Sequence, residues 1–251
     1  MKTSLLEICC YSVQSAIIAE QSGADRIELC AGVHEGGTTP SASCIKMAKE
    51  LVRIPVHVIV RSRGADFCYS DIEFECMKLD IKYCKEVGVD GVVSGVLLSD
   101  GSIDVERTKE LIDLAKPMNF TFHRAFDMVK DHFKALEELI EIGADRILTS
   151  GGEQTAVLGQ DLLKDLVEKA SGRIVIMPGS GISHENILSL KKHTGAEEFH
   201  CSAKSLVRGK MEYQNPKIAM GGEEKVPEFE FYEADSQKIR KIVSILKAED
   251  L

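Results

Sequence analysis

The sequence holds no CxxC pair and no MxCxxC motif, and its eight cysteines, at 9, 10, 30, 44, 68, 76, 84 and 201, follow no regular spacing. A structural zinc site needs four ligands at typical spacings, and none can be assembled here. No apolar run approaches the ~18 residues that a membrane span requires. The N-terminal stretch "MKTSLLEICCYS" is too short and is broken by Glu7, so it does not read as a signal peptide. Without an export signal the cysteines read as free thiols in a reduced, cytoplasmic protein. Basic clusters are also missing. With 31 Lys+Arg against 40 Asp+Glu the net charge is -9, which leaves no positive footprint for nucleic acid. A small charged or metallic ligand fits this balance better.

What the chain has is alternation. Eight β-rich runs recur along its 251 residues, at 5–9, 26–30, 56–60, 91–95, 120–123, 146–150, 173–177 and 198–201. Amphipathic segments such as 12–21, 71–88 and 131–143 separate them, and Gly23, Gly88, Gly143 and Gly195 stand where helices end. Strict β-α alternation implies parallel strands joined by right-handed crossovers. Eight such units predict an α/β fold, a (β/α)8 TIM barrel in one domain over 1–251; an open doubly wound sheet is the alternative. A repeat favours the barrel. "GADRIELC" (23–30) returns as "GADRILTS" (143–150), and "GVDGVVSG" (88–95) is echoed more weakly by "GAEEFHCS" (195–202), each four strands on. Barrel units fill about 5–202, a long loop is expected over about 203–233, and a closing helix over about 234–249.

Side chains alternate across a strand, so each strand carries two sets. One set is apolar throughout, as in Leu6, Ile8 and Cys10, or Val56, Val58 and Val60. It belongs under the helices. The other set carries Glu7, Cys9, Glu28, Cys30, His57, Arg61, His123, Glu198 and His200, and must point into the barrel. Ionisable groups are costly there unless paired or functional. A buried ion-pair network, Glu7 or Glu28 against Arg61, is one expectation. A ligand site at the C-terminal mouth is the other.

The adjacent Cys9 and Cys10 face opposite sides of their strand, so they do not form one site. Cys9 and Cys30 share the inward phase at the ends of neighbouring strands, about 4.8 Å apart. One soft ion bridges such thiols, and Cu(I) accepts two soft ligands. Two small residues at a barrel mouth are the plainer reading. Arg61, Arg63 and Asp66 follow strand three, and "FHRAFD" sets His123, Arg124 and Asp127 after strand five. Arginines there suit a carboxylate or phosphate, and a histidine suits acid-base work. Gly179, Ser180 and Gly181, in "MPGSGIS" after strand seven, are candidates to present N–H groups to an anion. No lysine lies in an inward set, which argues against Schiff-base chemistry; Lys204, just past strand eight, is the nearest.

With these stretches in hand the sequence resembles the CutC copper homeostasis family over about residues 5–220. The likeness rests on "LEICCYS", "GADRIELC", "EGGTTPS" (35–41), "DFCYSD" (66–71), "TFHRAFDM" (121–128), "RILTSG" (146–151) and "EFHCSA" (198–203). It implies a (β/α)8 barrel, a cytoplasmic setting, Cu(I) binding and self-association as a dimer or larger. The family's proposed copper-binding cysteines fall here on Cys9 and Cys30. Ser62 departs from the family's usual proline, and Ala65 from a common second glycine.

Two functional expectations follow. In the first, Cys9 and Cys30 bind Cu(I) as thiolates at the mouth, with no organic cofactor, and Glu7, Glu28 and His57 surround them. In the second, the barrel is an enzyme on a small anionic ligand, phosphorylated in one version. Glu7, Glu28, His57, His123, His200 and Asp127 then supply acid-base candidates, with Arg61, Arg63 (beside Asp66) and Arg124 as clamps. A protein whose surface matters more than its mouth ranks third.

Overall fold

The computed structural model of the chain describes residues 4–215, 217–218 and 228–249. Its first half runs β1 (Leu5–Cys10), α1 (Val13–Gln21), β2 (Arg26–Leu29), α2 (Ala42–Leu51), β3 (Val56–Ile59), α3 (Asp71–Val87), β4 (Gly91–Ser94) and α4 (Val105–Ala115). The second half repeats the pattern with β5 (Asn119–Phe122), α5 (His132–Ile142), β6 (Arg146–Thr149), α6 (Gln160–Ala170), β7 (Val175–Pro178), α7 (Ile187–Thr194) and β8 (Glu198–Cys201). All eight strands are parallel, and from β1 to β7 each pairs with the next in sequence. β1 pairs with β2 on one side and β8 on the other, while β7 packs beside β8, so the sheet curls into a nearly closed (β/α)8 barrel. An open doubly wound sheet would reverse its strand order midway. This one does not.

Local chemistry sets the helix ends. Ser12, Ser41, Ser70, Asp104 and Asp131 each accept a hydrogen bond from an N–H of the first turn, and Ser70 forms a capping box with Glu73. Such caps are each worth about 1 kcal/mol. α3, α5 and α7 stop at Gly88, Gly143 and Gly195, all left-handed. The repeated GAD motif has a specific task. Asp25 accepts a hydrogen bond from the Leu6 N–H at 2.9 Å and Asp145 from the Phe120 N–H at 2.7 Å. Each satisfies a backbone donor near the start of the preceding strand, and the two sites stand four strands apart.

The main core lies between sheet and helices, where Phe120, Phe122, Phe126 and Phe199 are fully buried with the branched aliphatics. Burying each such side chain contributes roughly 1.5–3 kcal/mol. Cys10 and Cys84 belong to this layer, as their positions predict.

The region expected to be a long loop is different in its described parts. Lys204–Arg208 (β9) pairs antiparallel with Glu230–Ala234 (β10), and the ribbon is tied to α1 by the Ala234 N–H donating to Ser15 Oγ. Both strands are short and mostly polar, so neither carries a continuous apolar signal. Residues 216 and 219–227 of "NPKIAMGGEEKVPEFEF" lie outside the described residues. α8 (Ser236–Glu249) then buries Ile239, Ile242 and Leu246 and packs between α7 and α1. It completes the outer ring. No helix among the described residues is long and apolar enough to cross a membrane.

Candidate metal centre and mouth cavity

The inward faces carry a column of charge from the base of the barrel to its mouth. At the base, Arg146 donates to Glu198 through Nε (2.6 Å) and Nη2 (3.1 Å), and Arg26 Nη2 reaches the same carboxylate at 2.7 Å. Arg26 Nε also binds Glu7, whose other oxygen lies 2.7 Å from His200 Nδ1. His200 Nε2 faces Glu28 at 3.7 Å. Beyond Glu28 come the thiols.

Cys9 lies opposite Glu28 in the β1–β2 register, and the Cys30 N–H donates to the Cys10 carbonyl just past the end of β2. That pairing brings Cys9 Sγ within 3.6 Å of Cys30 Sγ. One ligand atom each from Cys9, Glu28 and Cys30 lies within 4.8 Å of the others, and all three residues are buried. Cys10 points the other way, into the core, with its Sγ on the Ile8 carbonyl.

The charges on this column interlock. A hydrogen bond with Cys30, then one with His200, outweighs burial and holds Cys9 well below the usual thiol range. Burial and the neighbouring Cys9 push Cys30 well above it. Cys9 is thus the more readily ionised of the two, and Cys30 the one that keeps its proton to higher pH. Burial, then the charge of Cys9, raises the Glu28 carboxyl to about 8. Burial opposes a charged His200, but hydrogen bonds to Cys9 and Glu7 raise it well above an ordinary imidazole. Burial also works against Glu7, yet Arg26 and His200 hold it well below the carboxylate range.

A cavity of about 400 Å³ opens above this column. It touches Cys9, Glu28 and His200 below, and Arg124, Ser180, Gly181 and Lys204 from segments beyond the strand ends. Arg61 and His123 also line it, along with Phe67, Leu148 and Ile182.

Several predicted site residues take other positions. Arg63 and Asp66 do not line the cavity; they pair with each other at 3.0 Å, and Arg63 also holds Glu73 and loop carbonyls. The Arg63 side chain turns onto α3, while Phe67 of the same loop reaches the cavity. Asp127 accepts hydrogen bonds from Ser150 N–H, Gly152 N–H, Thr149 Oγ1 and Arg124 Nε, so its oxygens fix the end of β6 and it is no free base. Arg61 pairs with neither Glu7 nor Glu28. Its terminal nitrogens donate to the carbonyls of Glu35, Gly37 and Ala65, and its plane covers Phe67. The partner of Glu7 is Arg26. Gly179 spends its N–H on the Thr149 carbonyl, whereas Ser180 and Gly181 reach the cavity with left-handed backbones. His57 is inward but buried below the cavity, and burial lowers it to about 4, so it is neutral.

Arg26 and Arg146 are the residues that strand-by-strand alternation missed. Both open their strands, where phase is hardest to assign, but both occupy the same place in GADRI, and that repeat was the available signal. Glu28, expected beside the metal, stands close enough to be a third ligand.

Comparison with known proteins adds a lineage. The model of the CutC family matches residues 4–205. A CutC family protein of Parabacteroides distasonis is 51% identical over 240 residues, covering 95% of this chain and 99% of that one. A human protein named copper homeostasis protein cutC homolog is 48% identical over 243 residues, 97% of this chain and 89% of its own. A solved CutC structure from Streptococcus agalactiae superimposes with a TM-score of 0.75 at 33% identity, covering 79% of this chain and 98% of that one.

Proposed function

The chain belongs to the CutC family, and on that premise we propose that it is a cytoplasmic protein of copper homeostasis that binds Cu(I) through the Cys9 and Cys30 thiolates. The observation that carries this reading is the 3.6 Å separation of the two sulfurs. At a metal–sulfur distance of ~2.3 Å one ion spans them. The donors are soft and buried, conditions that select a soft monovalent ion over a hard one. The hydrogen bonds that hold Cys9 well below the usual thiol range lower the cost of forming its thiolate, which favours binding of a metal ion there. Glu28 supplies a third donor or a proton acceptor at the same point. His200, held by Glu7, fixes the charge on Cys9 from below.

Competition with a Cu(I) chelator tests the proposal. Wild type should bind one ion, and the Cys9→Ser, Cys30→Ser double variant should lose that affinity. Equal affinity in the two proteins would remove the thiol pair as the site.

A further inference from the structure

The thiol pair does not account for the space above it. The cavity is large enough for a small organic molecule, and its walls join apolar surface from Phe67, Leu148 and Ile182 to polar groups that lack partners. His123 is 4% exposed, and its Nδ1 accepts the Ala125 N–H. The ring proton therefore sits on Nε2, a buried donor with no hydrogen-bond partner. Gly95 is needed to seat it, since a Cβ there would lie 2.8 Å from the ring. Arg61, 5% exposed, leaves its Nε equally unpartnered. Native proteins rarely bury such donors without a use, because each costs about 1–3 kcal/mol.

Positive charge gathers on the same cavity. Lys204, the first residue of β9, forms no ion pair among the described residues; its ammonium rests between the rings of Tyr11 (5.0 Å) and Tyr232 (4.4 Å). Arg124 is anchored through Nε and Nη2 to Asp127 and Ser150, which leaves Nη1 without a partner among the described residues. The Ser180 and Gly181 amides likewise have none among them. The Glu28 carboxyl is the acidic side chain on the cavity wall, against Arg61, Arg124 and Lys204.

We propose that the barrel mouth is a binding site for a small organic anion, a carboxylate or phosphate monoester with an apolar body. Lys204 neutralises its head group and the Ser180 and Gly181 amides donate to it, while His123 Nε2, buried behind the cavity wall, donates to one of its oxygens once the ring turns toward the ligand. The apolar walls discriminate against a bare inorganic ion. The site is separate from the thiol pair in its ligand groups, although Cys9 and Glu28 form part of its wall.

Titration calorimetry on the metal-free protein with phenylacetate, phenyl phosphate and neutral benzyl alcohol tests this. One of the two anions should bind saturably at one per chain, and the tighter one identifies the head group. Benzyl alcohol should not bind. Lys204→Met, at a half-exposed position, should weaken the anion at least tenfold with an unchanged melting temperature. His123→Phe, which keeps the ring volume, should weaken it as well. The Cys30→Ser variant, changed at a thiol that does not line the cavity, should retain it, so a failed copper site and a failed anion site are told apart. Absence of saturable anion binding, or equal affinity in the Lys204→Met protein, would overturn the proposal.

Discussion

The imidazole of His57 occupies the room that a side chain at Gly91 would need. The two residues face each other across β3 and β4, and a Cβ on Gly91 would come within 2.5 Å of the ring. Gly91→Ala should therefore destabilise the protein by about 1–3 kcal/mol, the usual range for overpacking. In a His57→Ala background the same change should cost much less. Urea midpoints of the four proteins in that cycle measure the coupling.

The base of the column should be the more sensitive end. Arg26 bridges Glu7 and Glu198 with 4% of its surface exposed. Arg26→Met strands two carboxylates inside the barrel, and breaking such a buried network costs roughly 3–5 kcal/mol. Arg146→Met leaves Glu198 with Arg26 and should cost less. Thermal unfolding of the two variants gives the order directly.

His57 titrates in the folded protein at about 4, against an ordinary value near 6.5. Between those values the unfolded chain binds the extra proton, so this residue's contribution is full above pH 6.5 and is lost as pH falls towards 4. The total is about 3 kcal/mol. The opposed shift of Glu28, raised to about 8, masks it in the whole protein. Comparison of wild type with His57→Gln isolates it: wild type should lose stability relative to the variant by about 1.4 kcal/mol per pH unit across that window. Parallel curves would assign His57 no such role.

Glu28→Gln separates the carboxylate as metal ligand from the carboxylate as neighbour. If it ligates, the variant should bind Cu(I) roughly tenfold more weakly, a loss of about 1.4 kcal/mol. In wild type the apparent affinity should rise with pH through about 8, as the Glu28 proton leaves, and the variant should lack that part of the slope. Chelator competition at a series of pH values reads both effects.

Much of this architecture is legible in the sequence, because a parallel barrel writes its two faces into alternate residues. The apolar set of β1 and β3 gave the helix side, and the polar set placed Cys9 with Cys30. Alternation says which face a residue takes, but not which partner it meets across the barrel. Glu7 meets Arg26 and not Arg61 because the arginines differ in height along the axis. Loop residues were harder still. Arg63, Asp66 and Asp127 are polar and follow strands, yet local hydrogen bonding within and between their loops consumes them. The β9–β10 ribbon escaped because a two-stranded, solvent-facing pair needs no apolar stripe.

That ribbon gives the molecule its own reporter. The chain contains no tryptophan and five tyrosines, so its ultraviolet emission comes from phenol rings alone. Two of the five, Tyr11 and Tyr232, sandwich the Lys204 ammonium at the cavity wall. Any occupant that draws Lys204 from between them changes the surroundings of two of the protein's five emitters at once. An occupant acting in that way would be read in the intrinsic fluorescence, without a label and without a competing indole signal.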